Sequence, residues 1–268
     1  MLSGAACRPR CSVTADQGTG ANSAIPGDAV VLAHSSDLHL ASETRHEDDL
    51  ARLQGVLEAA LAAGADALLL AGDIFDHNRV KLPLIDAVGR RLQDAALPVI
   101  ILPGNHDCLA AGSVYRRGGL GELPNVEVLG ITVDELLPLA GLDLEVWGRP
   151  HPDHVDMAPL REPAPRGSAR WRVAIAHGHW VSGPQDLHRS WLIHQEELDA
   201  LQADYLALGH WDLATKIGAG ALPAYYSGSP DLAKTINLVR LSAGGVEVTR
   251  MPLPASTNGG ADDGRRGA

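Results

Sequence analysis

Cysteine is nearly missing from this chain: Cys7, Cys11 and Cys108 are all it contains. Three scattered thiols cannot build a disulfide framework or a zinc knuckle, so a reducing compartment, the cytoplasm, is expected. Basic residues are also short, with 22 Lys and Arg against 33 Asp and Glu and a formal charge of -11. That balance disfavours unassisted adhesion to nucleic acid or to an anionic membrane, although a locally basic groove stays open to it. No apolar run approaches the roughly 20 residues of a membrane span, so no membrane partner is expected. Residues 1–28 lack the apolar centre of a secretory signal and read as a disordered leader, and residues 255–268 read as a disordered tail. Nothing in the sequence sets an oligomeric state.

What is present is enough apolar residue, 45% of the chain, for one substantial core, and a single domain over residues 29–254 is expected. Short apolar runs alternate with helical segments, the pattern of strands covered by helices. "AVVLAHSSD", "DALLLAGD", "LPVIILPGNHD", "WRVAIAHGH" and "ADYLALGH" read as strands. Leu50, Leu53, Leu57 and Leu61 recur at helical spacing, with Gly64 as the stop, and "LPLIDAVGRRLQDA" and "HQEELDALQA" read as further helices. "NVEVLG" and "LDLEVWG" read as strands separated by a turn, and "AYYSGSP", "INLVRLS" and "GVEVTRMPL" as antiparallel strands with a Gly244-Gly245 turn before the last. The expectation is an α/β domain containing two sheets.

Five of the apolar runs end in metal-ligand residue types. "SSDLH" supplies Asp37 and His39; "AGDIFD" supplies Asp73 and Asp76; "PGNHD" supplies Asn105, His106 and Asp107; "AHGH" supplies His177 and His179; "LGHWD" supplies His210 and Asp212. In α/β sheets ligands gather beyond the carboxyl ends of strands, so residues distant in sequence can meet at one edge. In "DLH" and "HWD" the paired residues stand two apart, which on an extended backbone turns both side chains the same way. Gly72, Gly104 and Gly209 each precede a candidate, where a missing side chain permits a sharp turn and close backbone approach. Imidazole mixed with carboxylate and amide oxygen, without thiolate, suits manganese, iron(II) or zinc. So many donors exceed the needs of one ion, and a pair of divalent cations about 3.5 to 4 Å apart is the arrangement that clamps a phosphate.

Each motif alone has an ordinary reading: a capped turn, an αL turn, a buried imidazole satisfied by backbone. Their order, each after an apolar run, sets those readings aside. His34, His46, His151, His154, His188 and His194 are expected at the surface or behind the ligands. Arg79 and His179 are candidates for substrate contact. The five tryptophans offer a stacking surface for a base, with packing expected of most of them.

The series "DLH", "GDIFD", "GNHD", a later His and "GHWD" resembles the calcineurin-like metallophosphoesterase signature from Asp37 to Asp212, and "DYLALGH" with "YYSGSPD" is similar to its SbcD-type repair-exonuclease branch. The resemblance implies a four-layer α-β-β-α sandwich with two mixed sheets. It implies that Asp37 and His39 hold a first ion, that Asp73 bridges both ions, and that Asn105, His177 and His210 complete the shell of the second ion. It makes His106 the general acid, with Asp76 holding its tautomer and Asp107 a weaker candidate for the same support. The family's Gly-His-x-His ends here in Asp212, a seventh donor that makes the site harder and tilts the expectation to manganese, with iron(II) or zinc as alternatives. The implied activity is hydrolysis of a phosphate ester, first a phosphodiester, with a DNA end among the candidates although the net charge does not favour DNA. The alternatives are a phosphomonoesterase acting on a nucleotide, small ester or phosphoprotein, and a binding protein that lost turnover through Asp212.

Overall fold

The computed structural model describes residues 29–41 and 46–254. The expected leader, the expected tail and the side chain of His46 lie outside the described residues. The first sheet contains β1 (Val30–Ser35), β2 (Ala67–Ala71), β3 (Val99–Leu102) and β4 (Val126–Val128). The second contains β5 (Leu136–Leu139), β6 (Leu144–Trp147) and β7 (Trp171–His177). Two short strands, β8 (His179–Trp180) and β9 (Leu192–Ile193), pair by themselves. The second sheet is completed by β10 (Tyr205–Gly209), β11 (Thr215–Ile217) and β12 (Ala224–Tyr226), and the first by β13 (Thr235–Ser242) and β14 (Gly245–Pro252).

The orders are β14-β13-β1-β2-β3-β4 and β11-β12-β10-β7-β6-β5. Both sheets are mixed: β1 to β4 run parallel while β13 and β14 are antiparallel, and β6, β7, β10 and β12 run parallel between antiparallel edges. Fully buried apolar runs such as "ALLLA" fit strands covered on both faces. Leu32, Leu69, Ile100, Val146, Val173 and Ile175 form the core between the sheets. Helices α1 (His46–Ala62) and α2 (Leu82–Asp94) cover the outer face of the first sheet with Leu53, Leu57, Leu84 and Val88. Three short helices follow, α3 (Val114–Arg117), α4 (Gln195–Ala200) and α5 (Pro230–Ala233). On the outer face of the second sheet, α4 adds Leu198 to a smaller core with Trp147 and Leu206. This is the four-layer sandwich, with its last layer thin.

Several sequence expectations change. "NVEVLG" and "LDLEVWG" are not one strand pair: β4 edges the first sheet, and the chain crosses to β5 and β6 in the second. The intervening β5 escapes pattern reading because Pro138 interrupts it, a residue tolerated on the sheet edge where β5 lies. β12 pairs with β10 and β11 rather than with β13. The α1 face turns by one position, leaving Leu61 half exposed and Ala60 buried. The last hairpin turns at Ala243-Gly244, Ser242 already pairing with Gly245.

Candidate metal centre

The carboxyl ends of β1, β2 and β3 meet those of β7 and β10, so the two sheets deliver their loops to one place. The first two loops run side by side: Asp37 N–H donates to the Gly72 carbonyl at 3.0 Å, and His39 N–H to that of Asp73 at 3.0 Å. Asp37, His39 and Asp73 then offer ligand atoms that all lie within 4.8 Å of one another. From the second sheet, His177 Nε2 stands 3.2 Å from Asp73 Oδ2 and 3.0 Å from Asn105 Oδ1. His210 Nδ1 lies 3.3 Å from the same Asn105 oxygen, and the His210 amide donates to both Asp37 oxygens at 3.0 and 3.1 Å. Six of the seven expected ligand positions therefore form one continuous cluster.

The local backbone is strained to achieve this. Asp37, His39, Asp73 and His210 have φ of 53°, 48°, 53° and 98°, a region non-glycine residues rarely adopt. The extended "DLH" expected from the sequence is thus replaced by two left-handed residues around Leu38, which is buried in the core. The glycines do allow the crowding: a Cβ at Gly104 would stand 2.2 Å from Asp73 Oδ1, and one at Gly209 1.9 Å from the Ala71 carbonyl oxygen.

The donors fit a cation. His177 Nδ1–H donates to the Ala71 carbonyl at 2.9 Å, which leaves the lone pair of a neutral ring on Nε2. That lone pair would face two acceptors, Asp73 Oδ2 and Asn105 Oδ1, an arrangement that only a proton or a metal ion reconciles. Electrostatics agrees. Burial pushes Asp37 up to about 6, partly countered by charge on His177. Burial opposes charge on His177 too, but Asp73 and then Asp37 raise it to about 9. Burial alone would raise Asp73, yet the charge and hydrogen bond of His177 hold it below the ordinary carboxylate range. Burial, then charge on His177, lowers His210 to about 3, keeping its ring neutral for ligation.

The proton on His177 thus occupies a place a cation would take. Below about pH 9 an ion must displace it, so manganese affinity is expected to rise with pH toward that value. At pH 7 uptake should release about one proton per chain, read by calorimetry in buffers of different ionisation enthalpy. Affinity independent of both pH and buffer would contradict this assignment.

The remaining expectations land unevenly. His106 is 42% exposed, with Nε2 4.0 Å from Asp73 Oδ2. Its Nδ1–H donates not to the Asp76 carboxylate, as expected, but to the Asp76 backbone carbonyl at 2.7 Å. The carboxylate lies 3.5 Å from that nitrogen and nearer, 3.1 Å, to Nδ1 of His39. Asp107 does not hold His106 either. Fully buried, it accepts from Ile74 N, Phe75 N, Gly104 N and Tyr115 Oη at 2.8, 3.1, 2.7 and 2.5 Å, tying two ligand loops together. Asp212 is exposed: its carbonyl accepts from Ser229 N at 3.0 Å, and its carboxylate makes no hydrogen bond or ion pair among the described residues. Arg79 is exposed, and its guanidinium makes no contact with the cluster among the described residues. His179 is buried, its ring edge-on to that of His210 at 6.0 Å.

Other residues support the cluster, His151 and His154 taking the place behind it that the sequence left open beside the surface. His151 is fully buried behind the ligands, its Nε2–H donating to the His177 carbonyl at 2.8 Å. His154 Nδ1–H donates to the Asn105 carbonyl at 2.9 Å, and the Trp191 ring packs edge-on to His210 at 5.6 Å. Ser36 Oγ–H donates to Asp37 at 2.5 Å. His34 is not near the surface but buried between the sheets, where it accepts from the Tyr205 hydroxyl at 2.9 Å. Apart from Ser36, which bonds its neighbour Asp37, no local pattern marks these residues, because their partners lie far away in the sequence.

A model of the calcineurin-like phosphoesterase family matches residues 30–211. The chain belongs to that family. That family is one of metal-dependent phosphoesterases. The archaeal DNA double-strand break repair protein Mre11 of Saccharolobus solfataricus is 27% identical over 227 residues, a match covering 76% of this chain and 55% of that relative. Its Aeropyrum pernix counterpart is 39% identical over 86 residues, 28% of this chain and 20% of the relative. These matches agree with the resemblance to the repair-nuclease branch, and this chain spans only about half or less of the relatives' length. A UDP-2,3-diacylglucosamine hydrolase of Stenotrophomonas maltophilia is 38% identical over 96 residues, 34% of this chain and 38% of the relative. A solved Thermus thermophilus structure shares the fold with a TM-score of 0.56 at 15% identity, covering 83% of this chain and 99% of that one.

Proposed function

We propose that the protein is a dinuclear metal-dependent phosphodiesterase of the nuclease type. The observation that carries this reading is the junction at Asp73, whose carboxylate lies beside His39 and Asp37 on one side and His177 on the other. In it Asp37, His39, Asp73, Asn105, His177 and His210 hold two divalent cations, manganese first, with Asp212, two residues beyond His210, as the candidate seventh donor. When bound, the cation pair supplies Lewis acidity to the phosphoryl oxygens and lowers the pKa of attacking water. The chain contributes the rest. Asp76 carboxylate fixes His39 through Nδ1, leaving Nε2 for ligation. The Asp76 carbonyl fixes His106 in the same way, so that the imidazolium carries its transferable proton on Nε2, beside Asp73, where a leaving oxygen can take it. Asp107 keeps the two loops in register through buried hydrogen bonds.

The likeness to Mre11 proteins supports a diester, and with it a nucleic-acid end, as the substrate. The exposed side chain of Asp212 favours one competing reading, a family member that binds without turnover. The manganese-loaded protein is expected to hydrolyse bis(p-nitrophenyl) phosphate faster than p-nitrophenyl phosphate, and a chelator should abolish both rates. A faster monoester rate would replace the diester reading with a phosphomonoesterase, and bound manganese without turnover would leave the binding protein.

A further inference from the structure

A cavity of about 200 Å³ opens next to the candidate centre on its His210 side. Ile217 and the ring of Tyr226, both buried, form part of its lining together with Trp180 and Trp211. Tyr226 is immobilised, its hydroxyl donating to the Gly178 carbonyl at 2.7 Å and accepting from Trp180 N at 2.8 Å, so the hydroxyl is already occupied. His179 separates cavity from centre: its ring is edge-on to Trp211 at 5.7 Å and to His210 at 6.0 Å. Thr215 also lines it, and so does Asp186, held by Ser182 N and Oγ at 2.9 and 2.7 Å and standing 3.5 Å from His179 Nε2.

Three properties narrow the occupant. The volume is below the roughly 300–1,000 Å³ of a pocket for a whole small molecule, so it takes one part of a ligand. The Asp186 carboxylate repels a second phosphate but accepts N–H groups. Two indoles and a phenol ring favour a flat π system over a flexible chain. Trp211 itself is 36% exposed, whereas Leu38, its counterpart between the two residues of the first motif, is 1% exposed. The fold therefore does not require the ring at 211, and the Arg189 guanidinium lies over that ring, 6.0 Å from its centroid.

We propose that this cavity seats the nucleobase adjoining the scissile phosphate, with Trp211 and Trp180 as its stacking walls and Asp186 reading amino groups on its edge. The proposal rests on the phosphoesterase reading of the neighbouring centre and adds the specificity that centre lacks. Two measurements test it on the full chain loaded with manganese. By calorimetry, adenosine 5′-monophosphate is expected to bind roughly ten- to hundredfold more tightly than ribose 5-phosphate. Trp211→Ala and, independently, the cavity-filling Thr215→Trp should collapse that ratio toward one, with folding checked by circular dichroism. In turnover, a dinucleotide should be cleaved with a kcat/KM roughly ten- to hundredfold above that of the same compound carrying an abasic sugar on one side of the phosphate. Equal affinities for the two phosphates, or discrimination that survives Thr215→Trp, would overturn the proposal even with hydrolysis intact. Discrimination retained without hydrolysis of any ester would support the base seat and overturn only the phosphoesterase reading.

Discussion

Asp73→Asn is expected to lower kcat for phosphodiester hydrolysis by at least about a thousandfold and to weaken manganese binding well beyond the roughly 10- to 100-fold cost of losing a group that merely supports a ligand. Asparagine keeps the shape of a side chain that is 2% exposed and wedged against Gly104, and its amide oxygen can still accept from His106 N, as Asp73 Oδ1 does at 2.9 Å. What it removes is charge from the junction of the two sheets. With Asp73 neutral, burial dominates at His177 and only Asp37 and the hydrogen bond to the Ala71 carbonyl still favour its protonation, so the His177 pKa should fall from about 9. Steady-state kinetics, manganese titration and NMR titration of the His177 ring read the three consequences separately. An Asp73→Asn protein that keeps its rate and its His177 titration would remove Asp73 from the centre.

His106→Asn should lower kcat by about 10²- to 10⁴-fold on a diester whose leaving group is an alcohol, with KM and bound metal little changed. The reason is geometric. His106 is the exposed imidazole of the cluster, its Nδ1 is committed to a backbone carbonyl, and Nε2 stands 4.0 Å from Asp73 Oδ2. A leaving group that departs without a proton does not need it, so the defect should shrink toward a few-fold on bis(p-nitrophenyl) phosphate. Equal losses on both substrates would make His106 a positioning residue, and a matching fall in bound metal would make it a ligand.

The parts of this centre that were legible in the sequence share one cause: a buried strand must leave the sheet somewhere, and the apolar run ends where the chemistry begins. "ALLLAGD" and "YLALGH" announce both the strand and the residue delivered at its end, and each glycine before a candidate marks a backbone approach that a Cβ would block. The details depended on three-dimensional partners. Asp37 and His39 share a site through left-handed backbone rather than through the alternation of an extended strand, a distinction no spacing rule contains. The support expected of the Asp76 carboxylate passes to its own carbonyl because the carboxylate lies nearer His39. Asp107 reads in "GNHD" as a second support for His106, yet three backbone N–H groups and a tyrosine hydroxyl make it the tie between loops. His151 and Trp191 lie behind the ligands through folding of loops that carry no periodicity. In the fold, Pro138 hid β5, and the crossing of the chain from one sheet to the other between β4 and β6 was hidden with it.

The claim on which the rest depends is that side chains from both sheets form one binuclear pocket. Anomalous X-ray diffraction from crystals grown with manganese tests it most directly. The account predicts two manganese ions per chain, a few ångströms apart, with Asp73 between them, Asp37 and His39 on one ion and Asn105, His177 and His210 on the other. A single ion, or two ions in separate regions of the molecule, would contradict it.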